Sequence, residues 1–335
     1  RKGIVLQAHL DMVPQKNNDK VFDFENDPIE AYIDGEWVTA NGTTLGADNG
    51  IGAACILAVL EDNTLEHGAI EGLFTATEET GMDGAFGLKA GLLKGDILLN
   101  LDSETEGELY VGCAGGTDAN ITLPYTAEVA PQGWSALKLE VKGLKGGHSG
   151  IQIGFQRGNA NRLLCRLLLH TEQEWLLASI DGGGLRNAIP REAMAVCAVP
   201  KKDKESVRVD FNVFAAEVEA EYAAIETKAQ FTMESTDVVA TAMDKATMGN
   251  LLRALHGVFN GVFAMSNDVP GLVETSSNLA SVRMADGEVK IVLSQRSSAA
   301  SGKKDVADTV RAIFELAGAE VEVGEGYPGC LIIYY

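Results

Sequence analysis

The stretch that decides the fold runs from residue 72 to residue 81 and reads GLFTATEETG. A short apolar run passes through small residues into two adjacent acids, Glu78 and Glu79, and then into Gly81. An apolar run that ends at a turn signal is typical of a buried strand. Adjacent carboxylates repel each other unless water solvates them or a cation neutralises them. The stretch therefore predicts a buried strand that ends on a charged edge.

Comparable runs lie on both sides of this strand. They include GIVLQAH at 3–9, DILLNLD at 96–102 and the helix-like run GIGAACILAVLED at 50–62. Buried strands interleaved with a helix predict an α/β layer with a largely parallel sheet. We assign residues 1–116 to this first domain.

The pattern changes after the glycine-rich segment GCAGGTDA at 112–119, which we interpret as a joint between domains. Alternating strands follow, such as SALKLEVKGL at 135–144 and EVKIVLSQR at 288–296, together with amphipathic helices such as NANRLLCRLLL at 159–169. This second region, residues 117–326, is predicted to form a separate α+β domain.

Composition restricts the class of protein. The chain has 335 residues, of which 46% are hydrophobic, enough for about two domains with real cores. Its 48 acids and 27 bases give a net charge of −21, which disfavours nucleic acid and anionic membranes as partners but not metal ions. Five cysteines without CxxC spacing indicate neither a disulfide framework nor a thiolate zinc site. No apolar run approaches the ~18 residues of a membrane span, and no signal peptide precedes the first strand. We expect a soluble, cytoplasmic protein.

The candidate site residues follow apolar runs. His9 and Asp11 lie two apart on a predicted strand, so their side chains share a face. Asp48 lies in a glycine-flanked loop just before a helix, and Asp102 follows DILLNL. Taken singly, each has an ordinary alternative: a solvated strand end for the His–Asp pair and a helix N-cap for Asp48.

Taken together, these residues favour a metal site. If the apolar runs are neighbouring parallel strands, their ends open onto one crevice, where α/β sheets place ligands. Oxygen and imidazole ligands without thiolate suit Zn²⁺, Mn²⁺ or Co²⁺ held for catalysis. Two ions ~3.5–4 Å apart need a bridging carboxylate, terminal ligands and a base, and the set supplies nearly all of these. The alternative is that acids fall at strand ends by chance among 48.

Several motifs, in the same order, resemble those of the aminoacyl-histidine dipeptidases, also called peptidase D or cytosol non-specific dipeptidases. These enzymes belong to the larger di-zinc family of aminoacylases and glutamate carboxypeptidases. The resemblance runs from about Gly3 to Gly329, nearly the whole chain. It rests on AHLDMVP (8–14), GTTLGADNGIG (42–52), TATEETGMDGA (75–85), LLNLDSE (98–104), GLKGGHSG (143–150) and RNAIPRE (186–192).

The resemblance implies a metallopeptidase with two divalent ions, zinc in the first place, with manganese or cobalt as alternatives. It would hydrolyse dipeptides, Xaa-His among them, with a metal-activated water and without a covalent enzyme intermediate. Asp11 would orient a metal-bound imidazole, and Glu78 would be the general base that moves the proton. The implied ligands are His9 and Asp102 for one ion, Glu79 for the other, and Asp48 as the bridge.

The second domain would then be a lid inserted into a catalytic domain of the di-zinc exopeptidase type. His148 of GGHSG is implied to stabilise the oxyanion, and Asn187 and Arg296 to hold the substrate carbonyl and its C-terminal carboxylate. The alternatives are a turn histidine, loop capping and surface ion pairing. Lids of this family are a common dimer surface, so a homodimer is compatible with the resemblance. Residues 327–335 would begin the return to the catalytic domain.

The chain also departs from the family pattern. A further histidine ligand of the second metal should follow the lid, but all five histidines lie at or before His256. The resemblance thus implies a chain cut at both ends, an incomplete second metal site and little or no activity. Two other functions stay open: an N-acyl amino acid deacylase or carboxypeptidase of the same family, against which Asp102 argues, and a non-catalytic pseudoenzyme.

Overall fold

The computed structural model describes residues 2–17, 20–103, 105–110 and 112–329. The chain forms two compact units, Arg1–Tyr110 and Val111–Tyr335. Tyr327 pairs with Gly116 inside the second unit. Residues 330–335 of the predicted return segment lie outside the described residues.

The first unit is the predicted α/β layer. Three parallel strands form its sheet in the order β4-β1-β5, and one long helix crosses between β1 and β4. The elements are β1 (Ile4–His9), β2 (Ala31–Asp34), β3 (Trp37–Ala40), α1 (Ala47–Glu61), β4 (Ile70–Thr75), α2 (Asp83–Phe86) and β5 (Ile97–Asn100). The mixed α/β class and the parallel small sheet are confirmed. The hairpin β2–β3 and the short α2 were not predicted.

Alternation along β1 separates the face that packs on α1 from the face that carries Gln7 and His9. Leu6 and Ala8 are buried with Ile56 of α1 in a small apolar cluster. A Cβ on Gly72 of β4 would lie 2.9 Å from the Ile56 side chain, so glycine lets α1 pack closely on the sheet. Gln7 and His9 therefore point to the opposite face from Leu6 and Ala8.

The second unit is built on a nine-stranded sheet in which all pairs are antiparallel. Its order is β13-β8-β12-β10-β16-β17-β6-β18, with β15 paired to β16. The elements are β6 (Gly115–Pro124), β7 (Ala127–Val129), β8 (Trp134–Lys142), β9 (Gly147–His148), a 3₁₀ turn (Ile153–Phe155), α3 (Ala160–His170), β10 (Leu176–Gly183), β11 (Ala188–Ile189), β12 (Ala193–Pro200), α4 (Lys204–Tyr222), β13 (Gln230–Thr236), β14 (Thr241–Met243), α5 (Lys245–Gly257), β15 (Gly261–Met265), β16 (Val273–Ala285), β17 (Glu288–Ser297), α6 (Ala300–Leu316) and β18 (Glu320–Val323).

The core of the second unit lies between this sheet and its helices. α3 buries Leu163, Leu164 and Leu167, as its apolar spacing predicts, and Asn159 caps it by accepting hydrogen bonds from two backbone amides. The segment interpreted as a joint is in part a strand, because Gly115–Ala119 pair with β17. Among the described residues, no helix is both long and apolar enough to cross a membrane.

Candidate metal centre

The carboxyl ends of the three parallel strands bring the predicted ligands of the first unit together. His9 is the last residue of β1, and it lies opposite Thr75, the last residue of β4. Glu78 and Glu79 follow β4, and Asp102 follows β5. Parallel strands end at the same edge of a sheet, which explains why residues far apart in sequence meet here.

His9 is the centre of the cluster. Its side chain is only 1% exposed, and its Nδ1 lies 2.9 Å from the Asp11 backbone carbonyl. A carbonyl can only accept, so Nδ1 carries a proton and the Nε2 edge is turned to the acids. Nε2 lies 3.0 Å from Asp48 Oδ1 and 3.3 Å from Asp102 Oδ1. Burial disfavours a charged ring, but the Asp102 carboxylate, the Asp11 carbonyl and Asp48 together outweigh it and raise the pKa of His9.

Asp48 is not a helix cap in the structure. It has non-helical dihedral angles (φ −90°, ψ 109°) at the start of α1, as has Asn49. The N-cap position belongs to Gly46, and among the described residues no side chain caps this helix. The Asp48 carboxylate faces His9 instead. The interrupted first turn of α1 thus aims a carboxylate at the imidazole.

Asp11 acts on the paired acids as well as on the histidine. Its two carboxylate oxygens each accept a backbone amide, from Glu78 and from Glu79, both at 3.0 Å. Burial raises the pKa of the Asp11 carboxyl, but these amide bonds outweigh burial and lower it. The contact with His9 is made by the Asp11 carbonyl, since the nearer carboxylate oxygen is 3.6 Å from Nδ1.

The two glutamates lie in an acidic, partly desolvated environment. Burial raises the pKa of Glu78; the His9 ring opposes the rise, and the carboxylates of Asp102 and Asp48 add to it. Burial, followed by the carboxylates of Asp48 and Glu78, raises the pKa of Glu79. Such a cluster holds its charge only if a cation or protons compensate it.

The donor set fits a divalent ion. One ligand atom from each of His9, Asp48 and Glu79 lies within 4.8 Å of the other two. An imidazole with carboxylates suits zinc, manganese or cobalt. The Asp11 carbonyl holds the far nitrogen of the imidazole, as is usual for metal-bound histidines. Asp102 reaches the same Nε2 edge from β5.

Two asparagines support Asp102, and sequence reasoning did not single them out. Asn49 is 2% exposed, and its Nδ2 donates to the Leu101 carbonyl at 3.2 Å and to Asp102 Oδ1. The Asn100 side chain accepts the Asp102 amide at 2.9 Å. Their only sequence signal was position, since each lies within two residues of a predicted ligand.

Comparison with known proteins assigns the chain to a family. Residues 5–327 match peptidase family M20/M25/M40. The chain belongs to this family. It is 49% identical over 331 residues to the cytosol non-specific dipeptidase of Escherichia coli K12, an alignment that covers 98% of this chain and 68% of that protein. The crystal structure of aminoacylhistidine dipeptidase from Vibrio alginolyticus superposes with a TM-score of 0.84 at 48% identity, over 98% of this chain and 68% of that one.

In this M20-family chain, the second unit holds the other predicted site residues. His148 lies in β9, which pairs with β11 at Ala188. Its Nδ1 accepts the backbone amides of Gly150 and Ile151, both at 3.1 Å. The neutral ring therefore carries its proton on Nε2. Burial, and then the charge of Arg296, lowers the pKa of His148.

Asn187 and Arg296 lie in the same unit as His148. The Asn187 carbonyl accepts the Ser149 amide at 2.8 Å, which ties the RNAIP segment to the GGHSG loop. Arg296 donates from Nη1 to the Tyr327 hydroxyl at 2.9 Å. Its buried Nε has no protein partner among the described residues. One edge of this guanidinium thus has unused donor capacity.

Proposed function

We propose that the chain is a metal-dependent dipeptidase in which Glu78 is the general base. The observation that carries the proposal is that ligand atoms of His9, Asp48 and Glu79 lie within 4.8 Å of one another. Glu78 precedes Glu79 directly, and the backbone amides of both are bonded to Asp11. The two similar proteins described above are named dipeptidases and are 48–49% identical to this chain.

Two observations support Glu78 as the general base, namely its position next to Glu79 and a pKa above its ordinary value. A divalent ion held by the cluster supplies Lewis acidity that lowers the pKa of water to ~7. Burial, followed by the carboxylates of Asp102 and Asp48, raises the pKa of Glu78 above its ordinary value, which favours acceptance of a proton. We infer that Glu78 takes a proton from the attacking water and delivers it to the amine nitrogen that leaves.

Metal binding is assigned to the other acids. Glu79 would bind one ion, and His9 and Asp102 would bind the other. Asp48 would be a ligand of both. Asp11 is a positioning residue, because it fixes the backbone of Glu78 and Glu79 and the Nδ1 tautomer of His9.

Residues 117–326 are proposed to act on the substrate as a lid, and residues 1–116 are proposed to be the beginning of the catalytic domain. His148 would donate from Nε2 to the oxyanion, since its Nδ1 is already an acceptor. Asn187 would hold the substrate carbonyl. The Arg296 guanidinium would bind the C-terminal carboxylate, which matches its geometry in two parallel hydrogen bonds.

The test is dipeptide hydrolysis by the purified chain with zinc, manganese or cobalt, alongside metal analysis. β-Alanyl-histidine and other dipeptides are compared with N-acetyl amino acids, and Glu78→Gln is the matched control for contaminating peptidases. We expect metal-dependent cleavage of dipeptides that the variant lacks. Preference for N-acetyl amino acids would favour the deacylase alternative, and absence of cleavage with two tightly bound ions would favour the pseudoenzyme.

A further inference from the structure

The second unit contains a cavity of about 340 Å³ that is unlike the rest of this acidic chain. Three arginines line it, Arg157, Arg162 and Arg166, together with Asn159 and Asn260, and no acid is among its lining residues. We call it the arginine pocket. Its size is at the lower end of the range for small-molecule sites, ~300–1,000 Å³. The cavity is therefore a local concentration of positive charge in a chain whose net charge is −21.

Arg162 is a partly buried cation without a carboxylate partner. Its Nη1 donates to three carbonyls at the C-terminal end of α5, those of Leu255 at 3.0 Å, His256 at 2.6 Å and Val258 at 2.9 Å. These contacts fix the guanidinium rigidly. In the part of the chain that the structure describes, no Asp or Glu oxygen lies within 4 Å of it, and Nε and Nη2 make no protein hydrogen bond.

Arg157 also lines the arginine pocket and likewise has no carboxylate partner among the described residues. Its Nη1 donates to the Gly146 carbonyl at 2.5 Å, and its guanidinium carbon lies 5.2 Å from the centre of the Phe155 ring. Again no acid of the described ranges comes within 4 Å. Arg166 differs, because Glu221 binds it in a bidentate pair at 3.0 and 2.7 Å.

The buried acid Glu226 uses its carboxylate for backbone amides rather than for an ion pair with these arginines. Glu226 is 3% exposed, and its two oxygens accept the backbone amides of Lys145 at 2.7 Å and Gly158 at 2.9 Å. Asn260 contributes a donor as well. Its Oδ1 already accepts from Asn159 at 3.1 Å and from the Leu279 amide at 2.8 Å, which leaves Nδ2 as its free edge.

We propose that the arginine pocket binds a small anion that carries at least two acidic oxygens, from carboxylate or phosphate groups. Two fixed guanidinium forks without counter-ions match such oxygens in geometry and charge. Asn260 adds an uncharged donor to the same cavity. The site is separate from the residues assigned above to metal binding or substrate binding.

Binding of an anion in the arginine pocket should also reduce the backbone motion of the GGHSG loop. Arg157 is bonded to Gly146, two residues before His148. From the other side, Asn159 contacts Asn278, which donates to the Ala188 carbonyl in the strand that pairs with His148. An anion that pins Arg157 therefore restricts the backbone that carries His148.

Calorimetric titration of the full chain with citrate and with inorganic phosphate, at constant ionic strength, tests the proposal. We expect saturable binding of at least one of the two, weakened about tenfold or more in Arg157→Gln, the loss expected for one charge-assisted hydrogen bond. Arg162→Lys keeps the charge and loses the two-point guanidinium geometry, so it should weaken anion binding. Its thermal midpoint is measured as the check that α5 stays packed. Arg311→Gln, on the exposed face of α6, is the matched control and should bind as wild type does.

Hydrogen exchange of the segment 144–158 gives an independent readout. With citrate or phosphate, whichever binds, exchange should slow in wild type and stay unchanged in Arg157→Gln. Absence of binding of both anions to wild type, or equal binding to Arg157→Gln, would overturn the proposed site. Binding without any change in exchange would overturn the link to the loop.

Discussion

Replacement of Asp11 by Asn separates its side chain from its backbone. The Asp11 carbonyl keeps its contact with His9 Nδ1, so the imidazole stays oriented. The carboxylate, in contrast, accepts the amides of Glu78 and Glu79 at 3.0 Å each. A carboxamide can accept only one of them and turns an NH₂ group against the other. A charge-assisted hydrogen bond of this kind contributes about 2 kcal/mol.

A loss of about 2 kcal/mol corresponds to roughly a 30-fold lower population of the arrangement in which Glu78 and Glu79 face the proposed metal site. We therefore expect the dissociation constant for zinc to rise about 30-fold in Asp11→Asn, within the 10–100-fold range known for residues that support ligands. Competition with a fluorescent zinc chelator measures it. Asp23→Asn is the control, because Asp23 also accepts a backbone amide, from Glu25 at 2.9 Å, but outside the cluster. Unchanged zinc affinity in a folded Asp11→Asn chain would refute the reasoning.

Three further predictions concern the second unit. Leu164→Ala removes a fully buried side chain of α3 and should lower the free energy of unfolding by about 2–5 kcal/mol. Leu169→Ala, on the exposed side of the same helix, is the control and should change that free energy little. Equal effects of the two variants in urea denaturation would contradict the assigned core. Asp244→Ala removes the cap of α5, whose Oδ1 accepts the Thr247 amide at 2.8 Å, and should cost about 1 kcal/mol near neutral pH. Burial raises the pKa of Asp244, but the hydrogen bonds that its carboxylate accepts outweigh burial and lower the pKa below 3.8. The stability that Asp244 contributes is therefore present above pH 3.8 and is lost as the pH falls through the folded-state pKa. A stability difference between variant and wild type that grows in acid would contradict this prediction. Arg296→Lys keeps the charge but loses the two-point fork, so KM for dipeptides should rise about tenfold with a smaller change in kcat; the opposite split in steady-state kinetics would remove Arg296 from substrate binding.

The layout of the first unit could be predicted because period and residue type carry it. The strands that end at His9 and Thr75 are short apolar runs, and parallel strands with a helical crossover must end at one edge. Residues 4–9, 70–75 and 97–100 therefore lie side by side, and the acids that follow them meet.

Details that depend on the path of the backbone could not be predicted. Two positions on one strand face suggest that the Asp11 carboxylate contacts His9, but the chain turns after β1 so that the carbonyl makes this contact. Asp48 has the residue type and position of an N-cap, and the irregular first turn of α1 redirects it. Neither a turn after a strand nor a distorted helix start has a periodic signal.

The arginine pocket shows the same limit over a longer distance. Arg157 and Arg162 are close in sequence, but Asn260 reaches the cavity from about a hundred residues further on, through the packing of β15 beside β16. Local composition does not indicate that the guanidinium groups of Arg157 and Arg162 lack carboxylate partners among the described residues. Such a site is visible only once the tertiary contacts are known.

The central claim is the division of labour between two adjacent acids, and zinc content measured with turnover in Glu78→Gln and Glu79→Gln tests it most directly. The two variants make the same chemical change one residue apart, so each is the control for the other. We predict that Glu79→Gln loses the zinc ion assigned to Glu79 and Asp48, whereas Glu78→Gln keeps the wild-type zinc content and loses dipeptide turnover. Loss of zinc in Glu78→Gln with full retention in Glu79→Gln would contradict the account.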